Sequence, residues 1–240
     1  MAGHSHWKSI KHKKAVVDAR RGKMWSKLAR LIIIAAKRGG NPDDNLALRY
    51  AIEKARAANM PNDTIDKAIK KGTGELGATN YESVLYEGYA AGGVAILVDA
   101  LTDNRNRTAP EIRTLFDRSG GAVGAANSVR WMFSTQGIIA IERGKVDEDK
   151  LLELALDAGA ADVQSSEEGF AVITAMSDFE KVRKALLAAN IPLASAEITM
   201  VPSQTISISG EQAQKVQSLI DALEDHDDVQ NVYTNAQIEG

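Results

Sequence analysis

Gly137-Ile138-Ile139-Ala140-Ile141-Glu142-Arg143 and, just after it, the run Asp147-Glu148-Asp149-Lys150-Leu151-Leu152-Glu153-Leu154-Ala155-Leu156-Asp157-Ala158 decide how the chain is read. The first run is short and apolar, which predicts a buried strand. The second opens on acids and carries Leu151, Leu152 and Ala155 at helical spacing, which predicts a helix. Downstream, Val163–Ser166 and Phe170–Ala175 flank Glu167-Glu168-Gly169 as a hairpin. Asp178–Ala189 reads as a helix with Phe179, Val182 and Leu186 inward, and Ala196–Val201 as a last strand. The order is βαββαβ, the ferredoxin-like motif.

Outward from this unit lie the pieces of a second one. Ser83–Tyr89 and Val94–Thr102 read as strands joined by the Gly92-Gly93 turn. A helix is expected from Thr108, where Thr108 and Glu111 form a capping box and Ile112, Leu115 and Phe116 face inward. Gly120, Gly121 and Gly124 mark a loop, and Val129–Phe133 reads as a third strand. Beyond residue 203 come a strand (Thr205–Ser209), a helix (Gln212–Leu223) and a strand (Val229–Tyr233). These complete the interrupted unit. The expected domains are therefore 1–77, then 78–136 plus 204–240, with 137–203 inserted.

Residues 1–77 are helical and basic. From Lys23 to Lys37, Trp25, Leu28, Ala29, Ile32, Ile33 and Ala36 fall on one face, with Lys23, Lys27, Arg30, Lys37 and Arg38 opposite. Gly39-Gly40 ends this helix. A second is expected from Asn41-Pro42-Asp43-Asp44 to about Ala58, and a third restarts at Met60-Pro61-Asn62-Asp63. The fold class is thus α+β multidomain: a three-helix domain followed by two α/β ferredoxin-like domains, one inserted in the other.

The net charge of −3 over 240 residues conceals a split. Residues 1–73 hold 17 Lys+Arg and 6 Asp+Glu, whereas 74–240 hold 12 and 26. Such asymmetry points to a module for a polyanion carried on an acidic body. Phosphate neutralisation with counterion release is the natural use of aligned lysines and arginines. The inserted unit, with 6 basic and 12 acidic residues, should repel nucleic acid and is assigned to protein contact or structure. It also lacks the basic-aromatic strand motif of an RNA-recognition domain.

Other chemistry finds little support. There is no cysteine, which removes disulfides, thiol nucleophiles and Cys-ligated metal. The longest strongly apolar run, Leu31–Ala36, is too short for a membrane span. No cofactor is expected. Gly72-Thr73-Gly74-Glu75-Leu76-Gly77 fits G-x-G-x-x-G, but it follows a helix and precedes a strand, the reverse of a dinucleotide fingerprint. Ala2-Gly3-His4, once Met1 is removed, offers a square-planar set for Cu(II) or Ni(II), and the stronger reading of His4, His6 and His12 is a positively charged end. Asp99 and Asp103 could serve a metal-dependent hydrolase, yet no third ligand is identifiable. In Thr102–Thr108, Arg105 and Arg107 either grip phosphate or pair locally with Asp103 and Glu111.

Five stretches are familiar: Met1–Lys14 with Asp18 and Arg21-Gly22-Lys23, Lys54–Pro61, Ala68–Gly74, Tyr86–Tyr89 and Thr102–Thr108. Over essentially its whole length the chain resembles the YebC family. His6 stands where a lysine is usual, Ala90-Ala91 where Gly-Pro is, and Asn127 where a glycine is common. The resemblance implies three domains, the middle one discontinuous, and a cytoplasmic, non-enzymatic, DNA-binding transcriptional regulator. It also implies a rival, a ribosome-associated factor that binds ribosomal RNA and activates translation or relieves stalled elongation. The expected nucleic-acid contacts are Lys8, Lys11, Lys13, Lys14, Arg20, Arg21, Lys23, Lys27 and Arg30, with Arg105 and Arg107 secondary, and the acidic domains are expected to meet the ribosome or another protein.

Overall fold

The computed structural model describes residues 21–77 and 80–238 of the chain. The fold is α+β, in two compact units: one of residues 131–205, the other of the described residues up to Arg130 together with those from Ile206 onward.

The larger unit opens with α1 (Arg21–Ala36), α2 (Leu46–Ala57) and α3 (Asn62–Thr73). Their apolar faces meet in a core of Ile32, Ile33, Ala36, Leu48, Ile52, Ala55, Met60, Ile65 and Ala68. α2 runs back along α1. At one end the Asn45 amide donates to the carbonyls of Ala35 and Gly39, both at 2.8 Å, while its Oδ1 caps α2 at the Leu48 N–H. At the other end Trp25 Nε1 donates to the Ala58 carbonyl at 3.0 Å. α3 returns parallel to α1, so both finish at the same end. Gly72 is the close-approach position there, since a Cβ on it would lie 2.5 Å from both Ala36 Cβ and the Ile33 carbonyl oxygen. The second helix starts later than Asn41-Pro42 suggested. Asn41 Oδ1 accepts from the Asp43 N–H, making a local turn that competes with helix, and Asn45 is the cap instead.

The same unit continues with β1 (Glu82–Tyr89), β2 (Ala95–Thr102), α4 (Arg105–Arg118) and β3 (Ala122–Val123). After the other unit it resumes with β8 (Ile206–Ile208), α7 (Gly210–Asp225), β9 (Val229–Thr234) and β10 (Ala236–Ile238). The main sheet has the order β3-β1-β2-β9 with every pair antiparallel, and β8 and β10 form a separate parallel pair. α4 and α7 pack against the sheet through Ile112, Phe116, Val216, Leu219 and Leu223, which bury Ile96, Val98 and Val229. Two expectations are corrected here. α4 begins at Arg105, because Asn104 Oδ1 accepts from the Arg107 N–H, and this places Thr108 inside the helix with no capping box. Residues 129–133 do not form a strand; Arg130–Met132 is a 3-10 turn, and the third strand is Ala122–Val123.

The unit of residues 131–205 contains β4 (Phe133–Glu142), α5 (Glu148–Asp157), β5 (Asp162–Ser165), β6 (Gly169–Thr174), α6 (Phe179–Ala188) and β7 (Ser195–Pro202). The order β5-β6-β4-β7, antiparallel throughout, is the expected βαββαβ arrangement. β4 and β7 begin and end side by side, Phe133 opposite Pro202, so the chain enters and leaves this unit at one edge.

Candidate nucleic-acid interface

Lys23, Lys27 and Arg30 stand at positions i, i+4 and i+7 of α1, one stripe of the helix. Lys23 is exposed, whereas Lys27 and Arg30 are half-buried, and all three have partners in the same chain. The stripe docks on the turn between α7 and β9, Glu224-Asp225-His226-Asp227-Asp228. Lys23 Nζ lies 3.2 Å from both the carbonyl oxygen and Oδ2 of Asp225, and 4.0 Å from Asp227 Oδ1. Lys27 Nζ donates to the Glu224 carbonyl at 2.6 Å. Arg30 donates to the Asp227 carbonyl and sits 3.3 Å from Asp228 Oδ1. Lysines from α1 therefore satisfy carbonyls at the C-terminus of α7, the end where cations are favoured. Burial pushes the Lys27 ammonium down, against the raising influence of Glu224, Asp225 and Asp227.

Asp228 is the centre of this arrangement and is 2% exposed. Its Oδ2 accepts from Arg107 at 2.7 Å and from the Thr108 hydroxyl at 2.6 Å. Thr108 uses its one proton there, so Thr102 donates to Thr108 Oγ1 at 2.8 Å and itself accepts from the Asn104 N–H at 2.9 Å. Burial alone would raise the Asp228 carboxyl; the Thr108 hydroxyl, the Arg107 guanidinium and the Arg30 charge together hold it below the usual carboxylate range. Beside it, His226 Nδ1 accepts from the Asp228 N–H at 3.1 Å and Nε2 lies 3.0 Å from Glu111 Oε2.

The expected contact residues thus separate into groups. Lys8, Lys11, Lys13, Lys14 and Arg20, like His4, His6 and His12, lie outside the described residues, as does the side chain of Arg21. Lys23, Lys27 and Arg30 come together, but on an acidic turn of the same chain. Arg107 is bonded to Asp103 at 3.0 Å, a local pairing, and also to the distant Asp228 at 2.7 Å. Arg105, 63% exposed, stands 4.0 Å from Glu82. Glu111 meets His226 rather than either arginine. Asp99 and Asp103 have separate partners: Asn231 approaches Asp99 at 3.4 Å, while Arg107 holds Asp103. Burial pushes the Asp99 carboxyl up, opposed by hydrogen bonds from Asn231 and Ser83. Among the described residues no group of three or more His, Asp or Glu is placed to hold a metal ion. Gly74, at φ 90°, closes α3 in the left-handed conformation, so the G-x-G-x-x-G run is a helix end.

Sequence reasoning missed the turn at 224–228. The signal was present: four acids in five residues, complementary to the basic stripe of α1. What the sequence lacks is any statement that residues about 200 apart meet.

Comparison with known proteins supports the same architecture. Residues 5–75 match the family model described as the TACO1/YebC protein N-terminal domain, and residues 81–236 match the TACO1/YebC second and third domain. A protein of Thermoanaerobacter pseudethanolicus named as a probable transcriptional regulatory protein is 54% identical over 241 residues, covering 100% of this chain and 98% of that relative. One from Pelotomaculum thermopropionicum with the same description is 51% identical over 242 residues, covering 100% of both chains. The crystal structure of a conserved hypothetical protein from Aquifex aeolicus superposes with a TM-score of 0.86 at 48% identity, covering 98% of each chain. The chain belongs to the TACO1/YebC family.

Proposed function

We propose that this protein is a non-enzymatic regulator of gene expression that binds nucleic acid by its phosphate backbone, with DNA as the first target. The observation that carries the reading is the charge segregation: 17 basic against 6 acidic residues in 1–73, on a chain whose remainder is acidic. Neutralised phosphates release counterions, and that release drives association. The regulatory half of the proposal is supported by relatives named as probable transcriptional regulatory proteins. The basic residues from Lys8 to Arg21 supply most of the grip, aided by Arg105, whose 4.0 Å exposed pairing leaves its charge largely available. Lys23, Lys27, Arg30 and Arg107 take part only where the 224–228 turn gives way. The acidic α/β units, 78–136 with 204–240 and the inserted 137–203, meet protein partners. A cytoplasmic location accords with this role; among the described residues no helix is long and apolar enough to cross a membrane.

The test compares binding to promoter DNA and to random DNA across salt, alongside co-sedimentation with ribosomes. Affinity for DNA should fall as salt rises, as phosphate contacts require, and a preference for one promoter that persists across salt supports the transcriptional reading. Equal binding to all DNA together with a stable ribosomal fraction overturns the transcriptional reading and puts a factor on ribosomal RNA in its place.

A further inference from the structure

With Lys23, Lys27 and Arg30 paired to the acidic turn, a second group of basic residues in the described helices stands without such partners. In α3, Ile65 and Ala68 are buried and Gly72 abuts α1. At 100° per residue, Lys67, Lys70 and Lys71 centre on the opposite side, and all three are exposed. α1 ends beside them: a Cβ on Gly40 would lie 2.7 Å from Thr73 Cγ2 and 3.6 Å from Ile69 Cγ2. That brings exposed Arg38 to the same end of the bundle. Lys37, its neighbour, donates instead to the Tyr81 carbonyl at 2.9 Å. Among the described residues no side-chain hydrogen bond or ion pair engages Arg38, Lys67, Lys70 or Lys71. The acids of α3, Asp63 and Asp66, lie toward its N-terminus, and Glu75 accepts from the Thr73 hydroxyl at 2.9 Å.

The bland account is that lysines compensate the negative ends of two parallel helix dipoles. That effect fades within the last turn. It covers Lys70 and Lys71 but not Lys67, six residues before the end of α3. Arg38, two residues past the end of α1, is covered in the same way, so Lys67 is the residue that argues for a wider surface.

We infer that Arg38, Lys67, Lys70 and Lys71, at the shared end of α1 and α3, form a contact surface for the phosphodiester backbone of a nucleic-acid duplex. The inference rests on the nucleic-acid reading above and adds residues to it. The side chains act as point charges on phosphates and carry no base preference.

The experiment measures binding of the full chain to a DNA duplex and to an RNA duplex of the same sequence, from about 50 to about 200 mM salt. The variant R38Q/K67Q/K70Q/K71Q keeps good helix formers at exposed positions, and far-UV circular dichroism checks that it is folded. Its log-affinity against log-salt slope on duplex DNA should flatten by up to about 0.9 for each lost contact. The control K150Q/K184Q, on exposed lysines of the unit of residues 131–205, should keep the wild-type slope. Whichever duplex loses more affinity in the fourfold variant identifies the backbone geometry that the surface fits. A fourfold variant with the wild-type slope on both duplexes, while wild type binds, overturns this surface and leaves the nucleic-acid reading standing. A wild type that binds neither duplex overturns both.

Discussion

Glu87 is 5% exposed, and its carboxylate accepts three backbone N–H groups, from Asn127 at 2.7 Å, Val129 at 2.8 Å and Arg130 at 2.7 Å. Burial opposes the charge, but the three amide dipoles outweigh it and hold the carboxyl below the usual range. Asn127 sits at φ 65°, and Asn is among the few side chains that tolerate this. In Glu87→Gln the amide nitrogen has N–H groups facing it, so one or more donors lose their acceptor, at about 2 kcal/mol. The folded pKa lies below the unfolded one. The contribution is therefore fully present above the unfolded value of about 4.3 and is lost as pH falls through the folded value. Urea midpoints of wild type and Glu87→Gln should differ at neutral pH and converge in acid; a pH-independent gap removes the charge from the account. Asp228 poses the converse problem, a buried charge with cations around it. Asp228→Ala leaves Arg30, itself 18% exposed, without a carboxylate and should cost about 3 kcal/mol. Adding Arg30→Met should recover part of that loss, because the penalty belongs to the stranded cation. Strictly additive midpoints in the double variant reject that account.

Helix packing shows how competing magnitudes fix a sign. Gly72→Ala gains about 1 kcal/mol of helix propensity. Against it stands a Cβ at 2.5 Å from the Ile33 carbonyl oxygen, where neither helix backbone can yield alone, and overpacking costs about 1–3 kcal/mol. Gly72→Ala should therefore lower stability, while Gly22→Ala, with open space around its Cβ, should be neutral or stabilising. Equal melting temperatures for the two variants contradict the close approach of α1 and α3. Most elements were legible in the sequence because periodicity reports which face is buried: α1, α5, α6 and the β4–β7 order follow from it. Boundaries set by side-chain caps were not. Asn41 and Asn45 are both good caps, and only the reach of Asn45 to the Ala35 and Gly39 carbonyls selects the second. Thr108 has the composition of a capping residue but is claimed by Asp228, 120 positions away. The basic stripe of α1 was legible as a stripe; its partner was not, since pairing between distant segments leaves no local period.

For the larger unit taken whole, two apolar cores share no residue. One holds α1 to α3, the other holds the main sheet with α4 and α7. What spans them includes the basic stripe on the 224–228 turn, the Lys37 bond to Tyr81, and Tyr81 itself, which packs on the helical core and lies 5.8 Å below the Arg30 guanidinium. Hydrophobic burial strengthens with salt exclusion, whereas exposed ion pairs weaken as the screening length drops from about 10 Å at 0.1 M to about 3 Å at 1 M. The Lys23–Asp225 pair is nearly half exposed on both sides and should weaken most, while Arg30–Asp228 is shielded. High salt should therefore loosen the helical part from the sheet without melting either core. Amide hydrogen exchange provides the measure: in about 1 M sodium chloride, protection should fall at the N-terminal turns of α1 and at the C-terminal turn of α7, and hold in β1 and β2. Uniform loss across both cores, or no loss at the α1–α7 contact, contradicts a join made by charge.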